Sequence, residues 1–228
     1  MICIVQARMN SIRLPNKVLK KIYNQTMLER VINKLKKSKK IDTIIIATSS
    51  LKSDDRIEKF CKKKKINYFR GSINNVYYRF VKIIKNLKNK NFIRISGDSP
   101  LIDYKLVDKA INIFVKKKPD LVTNTFPRSY PQGQSVEIIN GAVFLKFFKK
   151  IKKKNHKEHI TKYFYENFKK FYIVNFSLNK NLNSINLSIN TKSDFNIIKK
   201  IIKRSNDKNL GIKKLLTISK EIMNEKKF

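Results

Sequence analysis

Short β-branched runs alternate along this chain with segments whose apolar residues recur every three to four positions. That alternation restricts the fold to the α/β class, with a largely parallel sheet covered by helices. The runs predict strands at 2–6, 42–47, 66–69, 91–95 and 120–123. Between them, Leu28, Val31, Ile32 and Leu35 share one helical face, as do Val76, Phe80, Ile83, Ile84 and Leu87. Leu106, Val107, Ala110 and Ile113 form a third such face. Thr26 and Glu29 have capping-box spacing, Ser53-Asp54-Asp55 supplies an N-cap with first-turn acids, and Asp103 caps the next helix. After Thr123 the pattern changes. Residues 124–138 hold two prolines and a glycine and read as a long loop entering a strand at about 135–139. Helical patterns near 141–151 and 157–168, a strand at 171–176 and two C-terminal helices complete the expectation.

A sheet of this class binds ligands at the carboxyl ends of its strands, and the loops expected there carry the chemistry. The first runs from Gln6 to Lys17 and contains Arg8, Ser11, Arg13 and Lys17 without a glycine. It matches neither a Walker A loop nor a dinucleotide fingerprint. Its two guanidiniums and one ammonium can cradle a triphosphate through side chains, arginine gripping oxygens in forked pairs. A solvated loop turned by Pro15 is the plainer reading. Phe69-Arg70-Gly71-Ser72 is a second strand-to-helix corner, able to present amides and a guanidinium or to serve as an ordinary N-cap. In the third, Arg94-Ile95-Ser96-Gly97-Asp98-Ser99-Pro100, Asp98 can hold Mg²⁺ on phosphate oxygens or can cap a turn. Taken together, a basic loop, an Arg-Gly-Ser corner and an acid at three strand ends describe a nucleoside triphosphate site. That reading requires Arg8 and Lys17 to face Asp98 across one pocket.

The formal net charge of +37 does not overturn this. Only nine of the 53 basic residues are arginine, and the lysines fall on nearly every expected helix. A nucleic-acid binder concentrates charge on one element among aromatics, so a solvated surface that draws in anions is the better account. The two cysteines, Cys3 and Cys61, have no metal or disulfide spacing. Apolar runs such as Ile44-Ile45-Ile46 are too short to span a bilayer, and the chain enters a strand at once. The expectation is a soluble, cytoplasmic protein.

The stretches QARMNSIRLPNKVLK, FRGSINNVYYRF, RISGDSPLID and TNTFPRSYPQGQSVEI resemble the acylneuraminate cytidylyltransferase family. The resemblance is nearest to its spore coat polysaccharide protein F branch, alongside the CMP-sialic acid and CMP-Kdo synthetases. HKEHITKYFYEN and LSINTKSDFNIIKKI extend the match over about residues 2 to 202. The resemblance implies a nucleotide-diphospho-sugar transferase fold, GT-A and Rossmann-like, with a mixed, mostly parallel sheet. It divides a single domain into a nucleotide-binding part (1–125), an inserted acceptor and dimerisation lobe (126–175) and a C-terminal strand and helices (176–228). It implies transfer of CMP from CTP to the anomeric hydroxyl of an acidic sugar, with Mg²⁺ and release of pyrophosphate, by a cytoplasmic homodimer serving surface polysaccharide synthesis.

By the same resemblance, Arg8, Ser11, Arg13 and Lys17 bind the nucleotide, Arg70, Gly71 and Ser72 meet the cytidine, and Asp98 binds metal. Lys17, Arg8 and Asp98 become the catalytic set. Arg128, Gln134, Glu137 and His159 fall on the sugar side, and His156 at the same helices. Two positions depart from the pattern. Asn190 stands where the family carries a second metal-binding acid, and Asn75 where many members carry Asp. An amide oxygen can ligate Mg²⁺ without bringing charge, which predicts weaker metal binding. The departures keep open a glycosyltransferase-like or degenerate nucleotide-sugar-binding relative on the same fold. The lysine surplus leaves a basic nucleic-acid-binding protein as the rival of another class, one whose binding would fall steeply with salt.

Overall fold

The computed structural model describes residues 1–88, 90–206 and 210–224. Its elements run β1 (Ile2–Gln6), β2 (Lys21–Ile22), β3 (Gln25–Thr26), α1 (Met27–Leu35), β4 (Thr43–Ser49), α2 (Asp55–Lys63), β5 (Asn67–Gly71) and α3 (Val76–Ile84). They continue through β6 (Phe92–Ser96), α4 (Tyr104–Lys117), β7 (Leu121–Thr123), β8 (Glu137–Ile139) and α5 (Gly141–Phe147). Helices α6 (Lys154–Glu158) and α7 (Lys162–Glu166), strand β9 (Ile173–Asn175) and helices α8 (Lys192–Arg204) and α9 (Ile212–Asn224) follow.

Seven strands form one sheet in the order β5-β4-β1-β6-β8-β7-β9, and β8 alone runs antiparallel to its neighbours. The mixed, mostly parallel sheet expected from the sequence is present. From β1 the chain steps outward to β4 and β5, then crosses back to place β6 on the other side of β1. The order therefore reverses between β1 and β6, and the crevice beyond their carboxyl ends is where such sheets take ligands.

Alternation along the strands sorts the core into two layers. Cys3, Val5, Ile93 and Ile95 pack against α1, α2 and α4 through Val31, Leu35, Ile57 and Val107. Ile4, Phe92, Leu121 and Ile139 face α3 and α5 through Tyr77, Phe80 and Phe144. A third cluster joins α8 and α9 to Leu14, Met27, Leu187 and Ile189.

Several local expectations need correction. Thr26 caps α1 by accepting from the Glu29 amide, and the Glu29 carboxylate pairs with Lys64 at 2.6 Å. Asp54 precedes α2 but makes no side-chain cap bond; its carboxylate turns inward instead. The pattern at 157–168 is not one helix. His159 leaves helical geometry between α6 and α7, and this step lets Ile160 and Phe164 both bury against the sheet. The segment 126–175 supplies β8 to the middle of the main sheet and α5 to the layer that α3 begins. The short hairpin β2–β3 gave no signal above its turn residues.

Candidate active site

The end of β1 and the end of β6 meet at Gly97. Its amide donates to Gln6 O at 2.9 Å, and a Cβ there would lie 3.0 Å from that oxygen and 3.2 Å from the Ala7 methyl. A larger residue would push the two strand ends apart. Beyond them opens a cleft of about 540 Å³ lined by Gln6, Arg8, Ser11, Arg13, Lys17, Arg94, Ser96, Asp98, His159 and Asn190, among others.

The loop from Ala7 to Lys20 lines one wall. Met9, Leu14 and Val18 sink into the core and pin it, and Met9 O accepts from the amides of Ser11 and Asn16. Arg8, Ser11 and Arg13 are left on the cleft side, with Ile12 fully exposed at the tip. The carboxylate of Asp54, 1% exposed, accepts from Met9 N at 2.8 Å, from Thr48 Oγ1 and Ser49 N at 3.0 Å each, and from Ser49 Oγ at 2.5 Å. An acid read as a helix cap thus ties the loop to the end of β4.

Lys17 is 9% exposed and spends its ammonium inside the cleft. Nζ donates to Asp98 Oδ2 and to Ile189 O at 2.8 Å each, and to Asn190 Oδ1 at 3.2 Å. The predicted pair of a first-strand cation and a fourth-strand acid faces one pocket. The three oxygens around Nζ are hard donors of the type Mg²⁺ takes, with one carboxylate among them. Among the described residues no group of three or more His, Cys, Asp or Glu side chains gathers to hold a metal, so any ion there would draw its remaining ligands from substrate and water. Arg8 reaches across the cleft to Glu158 at 3.2 Å.

Other predicted residues lie elsewhere. Arg70 donates to Glu58 and Asp55 and to the carbonyls of Ser49 and Leu51, so its guanidinium serves the β5 edge rather than this cleft. Glu58, held by Lys62, Arg70 and Tyr68, is pulled down to about 2. Gly71 packs on Phe69 and Arg79, and Ser72 O accepts from Arg79; neither residue lines the cleft. Asn75 caps α3 through Tyr78 N. Gln134 is fully buried, donating to Leu101 O and accepting from Asp103 N, which makes it a clamp between loops. His156 is buried against Glu166 at 2.6 Å.

Two smaller cavities, of about 270 Å³ and about 300 Å³, share lining residues with the cleft: Arg94, Ser96 and Asp98 for the first, Arg94 and His159 for the second. Arg128, Ser135, Glu137 and Arg94 line both. His159 sits where the nucleotide-sized cleft meets the second cavity. Burial depresses the Arg128 guanidinium against the pull of Glu137. Burial opposes the charge on Glu137 too, but attraction to Arg94 and hydrogen bonds from Tyr165 and Arg94 outweigh it and hold the carboxyl below its usual range.

Sequence reasoning missed Arg94, Glu158 and Asp54. Arg94 carried the readable signal, a charge inside the apolar run Phe92-Ile93-Arg94-Ile95.

A family model described as cytidylyltransferase matches residues 2–222. An uncharacterized protein of Methanocaldococcus jannaschii is 36% identical over 216 residues, 93% of this chain and 87% of its own. The spore coat polysaccharide biosynthesis protein SpsF of Bacillus subtilis is 30% identical over 94% of this chain and 92% of its own. A 3-deoxy-manno-octulosonate cytidylyltransferase of Francisella tularensis is 32% identical over 53% of this chain and 48% of its own. The solved structure of a cytidylyltransferase from Leptospira borgpetersenii superposes with a TM-score of 0.91 at 28% identity, covering 96% of this chain and 94% of that one. The family model spans nearly the whole of this chain, and a relative 36% identical covers 93% of it: the chain belongs to the cytidylyltransferase family.

Proposed function

We propose that the protein transfers CMP from CTP to the anomeric hydroxyl of an acidic sugar of the sialic-acid or Kdo type. The sugar oxygen forms a bond to the α-phosphorus, the bond to the β-phosphate oxygen breaks, pyrophosphate leaves, and the hydroxyl proton passes to water. The observation that supports this reading is a cleft lined by the cationic loop that shares Arg94, Ser96 and Asp98 with a neighbouring cavity lined by Arg128.

Lys17, Arg8 and Arg13 would hold the phosphates and neutralise charge on the leaving pyrophosphate, an interaction that strengthens as the bond breaks. Ser11 would donate to a phosphate oxygen. Asp98 and Asn190 would hold Mg²⁺ beside Lys17, and the ion when bound supplies charge neutralisation for the polyphosphate. Positioning the sugar hydroxyl against the α-phosphorus supplies much of the remaining rate. Arg128, whose Nη2 donates to Ser135 Oγ at 3.0 Å, is the group for the sugar carboxylate, with His159 beside it.

An acidic acceptor is supported by the partial match to 3-deoxy-manno-octulosonate cytidylyltransferases. Surface polysaccharide synthesis is supported by the name of the Bacillus relative, and a cytoplasmic homodimer by the resemblance of the sequence motifs. Among the described residues no helix is long and apolar enough to cross a membrane. Titration calorimetry with CTP, UTP, ATP and GTP, with and without Mg²⁺, tests the nucleotide. Pyrophosphate release from CTP with a panel of sialic, pseudaminic, legionaminic and Kdo acids tests the acceptor. Equal binding of all four nucleotides removes the cytidyl assignment, and absence of pyrophosphate with every acid removes the acceptor.

A further inference from the structure

Strand register builds a polar row across a sheet face that is otherwise apolar. Arg94 on β6 lies opposite Glu137 on β8, Glu137 opposite Thr123 on β7, and Thr123 opposite Asn175 on β9. Around this row the same face packs Phe92, Leu121, Ile139, Phe144 and Phe164. The ion pair is part-buried, Glu137 more deeply than Arg94. Such a pair often contributes no more than apolar residues of the same volume, so packing alone is a weak reason for it.

The guanidinium of Arg94 is only partly used. Nη1 donates to Glu137 Oε2 at 2.5 Å, Nη2 reaches Gln6 Oε1 at a long 3.4 Å, and Nε is buried with no partner. An arginine carries five N–H groups in a fixed plane, and these contacts use only part of them. Both oxygens of Glu137 are engaged: the second accepts from Tyr165 Oη at 2.5 Å. Tyr165 is itself fixed by Thr123 Oγ1 at 2.9 Å and Thr125 Oγ1 at 3.1 Å. The carboxylate therefore holds the guanidinium plane while leaving donors over. Arg94 also borders the large cleft and both smaller cavities, so it stands at their junction.

We propose that Arg94 binds an anionic oxygen at the point where the two substrates meet, with Glu137 and Tyr165 as positioning residues that fix its plane. This rests on the nucleotidyl-transfer reading above. The oxygen belongs either to the α-phosphoryl group of the nucleotide or to the carboxylate of the acceptor, and the two sources are separable by binding.

The test is calorimetry on the full chain and on R94Q, R94K and E137Q, each first checked for a cooperative melt. CMP against cytidine gives the phosphoryl increment. Kdo against its methyl ester, with CMP present, gives the carboxylate increment. In R94Q the increment belonging to the true source falls about tenfold or more, as expected for loss of a charged hydrogen bond. R94K restores it only in part, because an ammonium lacks the fork, and E137Q, which keeps Arg94 but frees its plane, gives a smaller fall. If R94Q does not fold, the R94K and E137Q comparisons carry the same readout. Both increments equal to wild type in the folded variants overturn the proposal. Failure of the cytidyl reading looks different: the wild type then prefers another nucleotide, and the phosphoryl increment is measured with that monophosphate and its nucleoside.

Discussion

Lys17 Nζ and Asp98 Oδ2 lie 2.8 Å apart, joining the loop after the first strand of the sheet to the turn after the strand beside it. The ammonium also satisfies Ile189 O and Asn190 Oδ1, so one cation knits three segments of chain around the cleft. A phosphate arriving at Lys17 must compete with this set, and a divalent cation near Asp98 would shift the lysine toward the phosphates.

Replacing Lys17 with Met therefore removes a charge from the proposed reacting centre and leaves Asp98 without its cationic partner. Pyrophosphate release should fall by about two to three orders of magnitude in kcat, the range seen when one charge-stabilising donor is lost. Lys17→Arg should recover little, because a planar fork does not reach three oxygens arranged around one nitrogen. A Lys17→Met enzyme within a factor of a few of wild type would show that the ammonium is structural only.

Arg8 and Glu158 give the opposite expectation. Both side chains are 42% exposed, so their ion pair contributes within about 0.5 kcal/mol to stability. Yet Glu158 occupies the guanidinium that, in the function proposed above, would grip the triphosphate. Glu158→Gln should leave the urea midpoint nearly unchanged while tightening CTP binding severalfold in calorimetry. Weaker CTP binding in that variant would mean that Glu158 helps hold the nucleotide complex instead of competing with it.

The residues that sequence reading located and those it lost differ in a physical way. Lys17, Arg8 and Asp98 were legible because each follows an apolar strand at its carboxyl end, where α/β sheets present their loops. The parallel strands and the α1, α3 and α4 faces were legible because period alone defines them. What period cannot show is which polar partner a side chain turns toward. Arg70 sits at a strand end like Asp98, but Asp55 and Glu58 on α2 are within reach and take it. Gln134 lies in the loop read as facing the sugar, and Leu101 O and the Asp103 amide take both ends of its side chain. Asp54 has the look of a cap until β4 and Met9 are folded over it.

Asp54 has four donors and almost no solvent, so deleting it leaves several buried N–H and O–H groups unmet. Asp54→Ala should cost about 3 kcal/mol by urea unfolding, since each orphaned group costs about 1–3 kcal/mol and the site relaxes in part. Because Met9 N is one of those donors, the loop that carries Arg8 and Lys17 should loosen, raising KM for CTP more than it lowers kcat. A stability loss with KM unchanged would confine Asp54 to the fold and separate it from nucleotide binding.

Glu137 should contribute to the acid limb of the stability curve. Its carboxyl is 3% exposed, and Arg94 together with Tyr165 holds it below the usual carboxylate range despite burial. A group whose pKa is lower folded than unfolded contributes stability above the unfolded value and loses it as pH falls through the folded one. Glu137→Gln leaves the Arg94 charge buried without a counter-charge and should cost about 3 kcal/mol near neutral pH. The gap between wild type and variant should hold steady down to about pH 5 and then narrow as acid protonates the wild-type carboxyl. Urea titrations at steps between about pH 7 and about pH 3 measure it directly. A gap that stays constant to the acid end would mean that the Arg94–Glu137 pair does not couple protonation to folding.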